Sequence, residues 1–264
     1  MIRLIATDMD GTLLDSKKQL PPDFDVVMRK LYERDILFAV ASGRSYATLK
    51  KQFEDYLDDI VFICDNGANV VYQQESVSVS LLAWELVEEI VEQVRRGGGK
   101  MLLCGKHGTY HEYFGSTEAE DEIASYYVNQ VIVDNVLDVK DEIFKIAVFD
   151  EQNMEQTLYP TFKKCFRDRL NYQMSGEHWM DVMNADVNKG MALKQIRKSL
   201  GISYEETMAF GDYMNDYELL KEAKESYAMG NAHEGIKKIA AHITGTNDEQ
   251  GVMNVIKHVV LGME

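Results

Sequence analysis

The stretch LIATDMDGT, residues 4–12, gives the clearest indication of the fold of this 264-residue chain. Its first four residues predict a short buried strand, and two acids, Asp8 and Asp10, follow that strand directly. Acids at positions i and i+2 of an extended backbone point the same way, so both carboxylates can reach one point beyond the end of the strand. Gly11 lets the chain turn at once, and the Thr12 hydroxyl can fix the loop by a local hydrogen bond.

Strand and helix patterns alternate after this stretch. Apolar spacing predicts a helix at residues 24–32, and apolar runs at 37–41 and 60–64 predict two further strands. The dipeptide Asn66-Gly67 predicts a tight turn with positive φ. The C-terminal part of the chain repeats the same order, which is typical of an α/β fold with a doubly wound parallel sheet. Such sheets bind ligands at the carboxyl ends of their strands.

The middle of the chain has a different pattern. An amphipathic helix at residues 84–96 is closed by three glycines, and short strands mixed with helices follow it. This mixture predicts an α+β domain. We therefore expect an inserted α+β domain at residues 82–186 and an α/β core domain made of residues 1–81 and 187–264.

The charge balance limits the possible partners. The chain has 28 Lys and Arg against 44 Asp and Glu, which gives a formal net charge of −16. Nucleic acids and anionic membrane surfaces are bound by clusters of basic residues, and the sequence has no such cluster. We therefore expect no nucleic acid and no membrane among the partners.

Other features favour a cytoplasmic protein. The apolar runs are shorter than the roughly 18 residues of a membrane-spanning helix, and Asp8 leaves no room for the apolar part of a signal peptide. The cysteines, Cys64, Cys104 and Cys165, form no CxxC pair. This spacing suits a reducing compartment. The sequence leaves a monomer and a homodimer equally open.

Asp8 and Asp10 need a partner if their carboxylates converge. Two close carboxylates repel each other unless a cation or a shared proton relieves the repulsion, and a hard divalent metal is the natural partner. The alternative is a solvated turn between a strand and a helix, without any function. Residues 8–12 alone are compatible with both interpretations.

Three further motifs decide between these interpretations. Each lies at the end of a predicted strand or at the start of a predicted helix. The four motifs are, in chain order, DMDGT at 8–12, ASGR at 41–44, NKG at 188–190 and GDYMND at 211–216. In these motifs the chain resembles the haloacid dehalogenase superfamily, and within it the Cof-type phosphatases with an inserted α+β cap of the C2B type. The resemblance covers nearly the whole core, and the cap in outline.

This resemblance implies a mechanism and a cofactor. Asp8 would be the nucleophile that forms an aspartyl-phosphate, and Asp10 the general acid and then the general base. Mg²⁺ would be the cofactor, because it is typically held by one or two carboxylates together with substrate phosphate. The implied metal residues are Asp8, Asp10 through its carbonyl, Asp212, and Asp216 through a bound water or by orienting Lys189.

A second implied set binds the phosphate or the rest of the substrate. Its members are Ser42, Gly43, Arg44, Lys189 and Asn215. The Ser42 hydroxyl and the Gly43 N–H would receive phosphate oxygens, while Lys189 would screen the charge between phosphate and nucleophile. Arg44 could equally pair with surface acids.

Spacing alone also allows plain structural roles for these residues. Ser42 could be an N-cap and Lys189 an ordinary solvated helix residue. Asp212 and Asp216 could be acids at a helix N-terminus, where the macrodipole favours them. The presence of the other motifs is what favours function.

The cap holds further candidates. His107 and His111 have a spacing that suits metal ligands on a helix, but their neighbours favour a strand and a turn. His178, Trp179 and Asp181 belong either to a half-buried strand or to a surface that selects the substrate. Asp181 corresponds to a Glu of the family, and this shorter acid could alter how the substrate fits.

Taken together, the resemblance implies a Mg²⁺-dependent phosphatase that acts on a small phosphorylated metabolite, such as a sugar phosphate or a phosphorylated cofactor. Two alternatives stay open. One is a phosphosugar mutase of the same superfamily, which returns the phosphoryl group to the sugar. The other is a non-catalytic module that senses phosphate.

Overall fold

Strands and helices alternate along the chain in the computed structural model, which describes residues 1–174 and 177–263. The strands of this part are, in chain order, β1 (Leu4–Asp8), β2 (Leu37–Ala41), β3 (Ile60–Cys64), β4 (Asn69–Tyr72), β5 (Glu75–Val79), β6 (Lys100–Gly105), β7 (Thr109–His111), β8 (Gln130–Ile132), β9 (Ile143–Phe149), β10 (Leu170–Met174), β11 (Trp179–Asn184), β12 (Thr207–Gly211), β13 (Glu225–Ala228) and β14 (His242–Ile243).

The helices of the same part vary in length. They are α1 (Phe24–Tyr32), α2 (Tyr46–Gln52), α3 (Trp84–Arg96), α4 (Thr117–Tyr126), α5 (Leu158–Phe166), α6 (Lys189–Ser199), α7 (Tyr217–Lys221), α8 (Glu234–Lys237) and α9 (Gly251–Val255). A π-helical segment, Ile256–Leu261, continues α9. Short 3₁₀ turns lie at Glu54–Tyr56, Asp65–Gly67, Val136–Asp138, Arg167–Arg169, Tyr204–Glu206 and Met214–Asp216.

One sheet carries the predicted parallel core. Its strand order is β14-β13-β12-β1-β2-β3-β4-β5. The strands from β14 to β3 are parallel, and β4 turns back antiparallel to β3. Every residue of β1 is buried, as expected for the central strand of a sheet covered on both faces. The predicted α/β class with a parallel-sheet core is confirmed.

The register of β1 with its neighbours brings the motif residues to one edge. Asp8 pairs with Ala41 of β2, and Thr7 pairs with Phe210 of β12. Because the three strands are parallel, the residues that follow each of them leave the sheet side by side. The edge is therefore built from segments that are far apart in the sequence.

The contacts between Cα atoms divide the chain into two compact units. The first contains residues 1–43, 53–78 and 188–264, and the second contains residues 44–52 and 79–187. The second unit has its own sheet, in the order β10-β11-β9-β6-β7-β8. Its strands are antiparallel apart from the parallel pair β7 and β8. The domain limits expected from the sequence stay a prediction.

The second unit buries apolar residues on both faces of its sheet. One face packs against α3, which buries four residues at helical spacing, and against α5. The opposite face carries Leu102, Cys104 and Ala147, which pack with Phe114 and with Ile123 of α4. This unit therefore has a hydrophobic core of its own, as an independent compact body requires.

Among the described residues, no helix combines the length and the apolar character that crossing a membrane requires. Cys64, Cys104 and Cys165 carry free thiols, the first two buried and the third exposed.

Candidate active site

Three adjacent strands bring acidic and hydroxyl side chains together at the carboxyl edge of the parallel sheet. Asp8 is the last residue of β1 and is 6% exposed. Ser42 follows β2 and is 2% exposed, and Asp212 follows β12. This is the edge at which open α/β sheets bind ligands.

Lys189 reaches the same place from the start of α6. Asn188 caps this helix, because its side chain accepts a hydrogen bond from the Met191 N–H at 2.8 Å. The Lys189 side chain is fully buried, and its Nζ lies 2.5 Å from Asp8 Oδ1 and 2.7 Å from Asp216 Oδ1. Lys189 is therefore not an ordinary solvated helix residue, which was one of the two roles that the sequence allowed.

The fourth motif forms a tight turn that orients its two acids differently. Asp216 Oδ2 accepts hydrogen bonds from the N–H groups of Asp212, at 3.0 Å, and Tyr213, at 3.2 Å. Its other oxygen is left for Lys189. Asp212 accepts a hydrogen bond from the Thr12 hydroxyl at 2.9 Å. Asp216 thus braces Lys189, while Asp212 is held by the loop that follows β1.

Glycine is required in that loop, at Gly11. Its φ is 82°, and a Cβ there would lie 2.5 Å from Asp212 Oδ2. The Gly11 carbonyl accepts a hydrogen bond from Asn231 Nδ2 at 2.8 Å. The close approach of Gly11 to Asp212 therefore depends on the missing side chain, and Asn231 fixes the peptide from the other side.

Asp8, Asp212 and Asp216 form a group that fits a divalent cation. Each offers a carboxylate oxygen, and the three oxygens lie within 4.8 Å of one another. Within residues 1–174 and 177–263, it is the one such group of three or more His, Cys, Asp or Glu. The three carboxylates against one ammonium leave a net charge of −2 when all are ionised. Carboxylate donors and this charge suit Mg²⁺.

The pKa shifts of the group reflect the same excess of negative charge. Burial, with repulsion from Asp216, raises the pKa of Asp8 well above its ordinary value. Burial and the charge of Asp216 raise the pKa of Asp212 to about 6, against the opposing hydrogen bond from Thr12. Burial would lower the pKa of Lys189, but the charges of Asp216 and Asp8 outweigh it and raise that pKa. The ammonium stays charged, and the carboxylates lack a sufficient counter-charge.

Asp10 has a more open position than Asp8. Its side chain is 37% exposed and pairs with Lys18 Nζ at 2.7 Å. Its charge contributes to the raised pKa of Asp212, so it lies close to the acidic group. The pairing with Lys18 was not predicted, and the sequence offers no pattern that would have indicated it.

The remaining predicted phosphate residues occupy different positions. Gly43 and Asn215 are half-buried, the first after Ser42 and the second within the turn Met214–Asp216. Arg44 donates a hydrogen bond to Gln52 at 3.2 Å, and both residues belong to the second unit. A role of Arg44 in binding the substrate and its pairing with surface acids both stay predictions.

The two histidines of the β6–β7 segment have separate partners. His107 Nδ1 lies 2.8 Å from Asp141 Oδ1. The buried His111 lies in β7, with Nε2 at 3.2 Å from Gln130 Oε1. Their segment is a strand and a turn, as its composition indicated.

The last strand of the second unit carries an internal ion pair. Asp181 Oδ2 lies 3.0 Å from Lys145 Nζ, and both side chains are buried. The ring of Trp179 packs on Phe149 with the centroids 4.9 Å apart. His178 Nδ1 lies within 3.0 Å of two backbone carbonyls, of Asp150 and Gln152. A role of these residues in selecting the substrate stays a prediction.

Comparison with known proteins agrees with this geometry. The chain is 31% identical to the 5-amino-6-(5-phospho-D-ribitylamino)uracil phosphatase YbjI of Escherichia coli, over 98% of this chain and 96% of that protein. It is 28% identical to YcsE of Bacillus subtilis, over 98% of this chain and 96% of that protein. YcsE is named as a phosphatase of the same compound. Among solved structures, SMU.1108c of Streptococcus mutans superposes with a TM-score of 0.91 at 29% identity, over 99% of this chain and 100% of that one.

The family model of the haloacid dehalogenase-like hydrolases matches residues 5–256. This range begins inside β1 and ends just after α9, so it includes all four motifs. The predicted superfamily is confirmed. With its acidic group at the edge of a parallel sheet and a match over nearly its whole length, the chain belongs to the haloacid dehalogenase-like hydrolases and is an enzyme of that family.

Proposed function

We propose that this enzyme is a Mg²⁺-dependent phosphatase that hydrolyses phosphomonoesters of small metabolites through an aspartyl-phosphate on Asp8. The observation that carries the proposal is the group of Asp8, Asp212 and Asp216 around the buried ammonium of Lys189. The relatives named as phosphatases support the reaction class.

In this proposal the carboxylates of Asp8 and Asp212 and the carbonyl of Asp10 would hold Mg²⁺, and Asp216 would hold a bound water or orient Lys189. When bound, it supplies positive charge that balances the carboxylates and the phosphoryl oxygens. Asp216 suits the role of orienting Lys189 because it already accepts hydrogen bonds from two backbone N–H groups and from the Lys189 ammonium.

The first half-reaction transfers the phosphoryl group to the enzyme. A carboxylate oxygen of Asp8 attacks phosphorus in line, and the bond between phosphorus and the ester oxygen breaks. The leaving oxygen takes a proton from the Asp10 carboxyl and departs as an alcohol. The exposed position of Asp10 suits this role, since its carboxyl must meet both the substrate and water.

The second half-reaction regenerates the enzyme. Water attacks the phosphorus of the aspartyl-phosphate and gives one proton to the Asp10 carboxylate. The acyl-phosphate bond breaks, inorganic phosphate leaves, and Asp8 returns as a carboxylate. Asp10 has then recovered the proton that it gave to the alcohol, so the cycle is balanced.

The phosphoryl oxygens are positioned by groups at the same edge. In this proposal the Ser42 hydroxyl and the Gly43 N–H donate hydrogen bonds to two of them and orient them, with Lys189 adding charge. In this proposal Asn215 donates one more hydrogen bond, and Arg44 contacts the rest of the substrate. The residues of the cap, 82–186, would select among leaving groups.

Two relatives are named as phosphatases of 5-amino-6-(5-phospho-D-ribitylamino)uracil. We therefore place a phosphorylated polyol attached to a pyrimidine first among the substrates to be tested. Sugar phosphates, pyridoxal phosphate and flavin mononucleotide follow as members of the wider class.

The proposal is tested by measuring kcat/KM on a panel of these phosphate esters, with Mg²⁺ and with EDTA. We expect release of inorganic phosphate that requires Mg²⁺, and no turnover in Asp8→Asn. This substitution keeps the side-chain volume and removes one charge from a crowded acidic group, so the variant should remain folded. Full activity of Asp8→Asn would refute the covalent mechanism, and an inactive wild-type enzyme across the panel would refute the reaction.

A further inference from the structure

The turn Asp65–Gly67 follows β3 directly and holds three consecutive residues in the left-handed region. Their φ angles are 50°, 56° and 104°, and Asp65 and Asn66 are 1% and 3% exposed. Residues other than glycine adopt this conformation at a steric cost. Buried strain of this kind persists only where the surrounding structure imposes it, and it clusters at functional sites.

One side of this turn packs against the residues that follow β2. The Asn66 N–H donates a hydrogen bond to the Ser42 carbonyl at 2.9 Å. A Cβ at Gly43 would lie 3.2 Å from Asn66 Oδ1 and 3.3 Å from Asn66 Nδ2. The Asn66 carboxamide therefore occupies the space that a side chain at position 43 would need, and it limits where the Gly43 peptide can lie.

The other side of the turn packs against the start of α6. A Cβ at Gly67 would lie 2.5 Å from the carbonyl oxygen of Asn188. Asn188 is the N-cap of α6, and the next residue is Lys189, whose ammonium bridges Asp8 and Asp216. The turn is thus in contact with both the loop after β2 and the helix that presents Lys189.

We propose that Asn66 is a positioning residue of the phosphatase reaction, which holds the Ser42–Gly43 loop in register with Lys189 without touching the reacting atoms. This inference rests on the proposed function, since it assumes that Ser42 and Gly43 bind the phosphoryl oxygens. The left-handed backbone at Asn66 is needed because it directs the carboxamide onto Gly43 while Gly67 faces α6.

The first test is Asn66→Gly. Glycine adopts a positive φ without steric cost, so the turn and the melting temperature should be kept, while the carboxamide is lost. We expect kcat/KM for the best phosphate ester to fall at least tenfold. Gln73→Gly is the matched control, because Gln73 also has a positive φ, of 51°, but is exposed in the turn between β4 and β5. It should leave kcat/KM unchanged.

The second test is Asn66→Asp, read out as binding of inorganic phosphate by calorimetry in the presence of Mg²⁺. Aspartate has the same shape and tolerates the left-handed region, but it adds a negative charge beside Gly43. We expect phosphate to bind at least tenfold more weakly than to the wild type, and more weakly than to Asn66→Gly.

The outcomes separate this inference from the proposed function. If both variants bind phosphate and turn over substrate within twofold of the wild type, Asn66 positions nothing and the inference is wrong. A loss of activity that is matched by a fall in melting temperature in both variants would also overturn it, since the role would be structural. If the wild type binds phosphate but hydrolyses no ester, the proposed function fails, and the binding data still decide the role of Asn66.

Discussion

Lys189 places an ammonium group among carboxylates with no access to water. Its side chain is fully buried and contacts Asp8 and Asp216. Removal of one partner from a buried ion pair is costly because the remaining charge stays buried without compensation. The stability of the first unit should therefore depend strongly on this one side chain.

We predict that Lys189→Met lowers the free energy of unfolding by about 3–5 kcal/mol near neutral pH. The loss should shrink as the pH falls, because the carboxylates left behind can then take up protons. Lys194→Met is the matched control on the same helix, since Lys194 pairs with Glu222 at 3.1 Å on a partly exposed surface. It should cost less than about 1 kcal/mol. Urea unfolding of both variants, at two pH values, measures the difference.

If Asp212 is a metal ligand, as proposed, metal binding should depend on pH. Its pKa in the folded protein is about 6, above the value of about 4 for an unfolded chain. Its proton therefore stabilises the fold fully below about pH 4, and this contribution is lost as the pH rises through 6. Mg²⁺ competes with that proton, so its binding should strengthen over the same range.

We predict that a fixed millimolar concentration of Mg²⁺ raises the melting temperature more at about pH 7.5 than at about pH 5. Thermal unfolding with Mg²⁺ and with EDTA at both pH values gives the result. Asp212→Asn should largely remove the Mg²⁺ effect at the higher pH. An effect of Mg²⁺ that is equal at the two pH values would contradict the assignment of Asp212 as a ligand.

The N-cap of α6 belongs to the helix that presents Lys189. Asn188 caps the helix that begins with Lys189, and Ser116 caps α4 in the same way, with its side chain accepting from the Ala119 N–H at 3.2 Å. Loss of an N-cap side chain costs about 1 kcal/mol of stability. The two caps thus offer the same loss of stability, one at the helix that begins with Lys189 and one at a helix of the second unit.

We predict that Asn188→Ala and Ser116→Ala each lower stability by about 1 kcal/mol, and that only Asn188→Ala lowers kcat/KM, by about tenfold, because it loosens the helix start that presents Lys189. Chemical denaturation and steady-state kinetics on both variants provide the comparison. An equal kinetic effect of the two substitutions would show that general destabilisation, and not the position of Lys189, limits activity.

The elements of the parallel core were largely predictable because each carries a clear local signal. The apolar runs at 37–41 and 60–64 are the strands β2 and β3, and Asn66-Gly67 has the positive φ that this dipeptide favours. The hairpin of β4 and β5 was missed. Its turn is formed by Gln73 and Gln74 with φ of 51° and 63°, whereas such turns are usually marked by Asn or Gly.

The candidate site was predictable residue by residue but not in its contacts. The motifs named Asp8, Asp212, Asp216 and Lys189, and the structure brings these four together. Whether Lys189 is solvated or buried depends on β1, α6 and the turn Met214–Asp216 meeting at one edge, and no local pattern records this. The packing of Asn66 on Gly43 could not be predicted for the same reason, since 23 positions separate the two residues.

The net charge of −16 should act against the approach of the proposed phosphate ester. Lys189, the cationic side chain proposed to bind phosphate, lies at the edge of one sheet, while the surplus of acids is spread over the chain. On the proposed function, a dianionic substrate should therefore approach through a repulsive field before it meets Lys189. Added salt screens the long-range field more than contacts inside the site.

We predict that kcat/KM for a dianionic phosphate ester rises about twofold when the ionic strength is raised from about 10 mM to about 150 mM, because the Debye length falls from about 30 Å to about 8 Å. The value of kcat should stay constant, since the bound substrate is surrounded by short-range partners that salt screens little. The measurement uses KCl at a fixed free Mg²⁺ concentration. If kcat/KM falls steeply with salt instead, the local positive field of the site dominates the approach, and the acidic surface has no effect on the encounter.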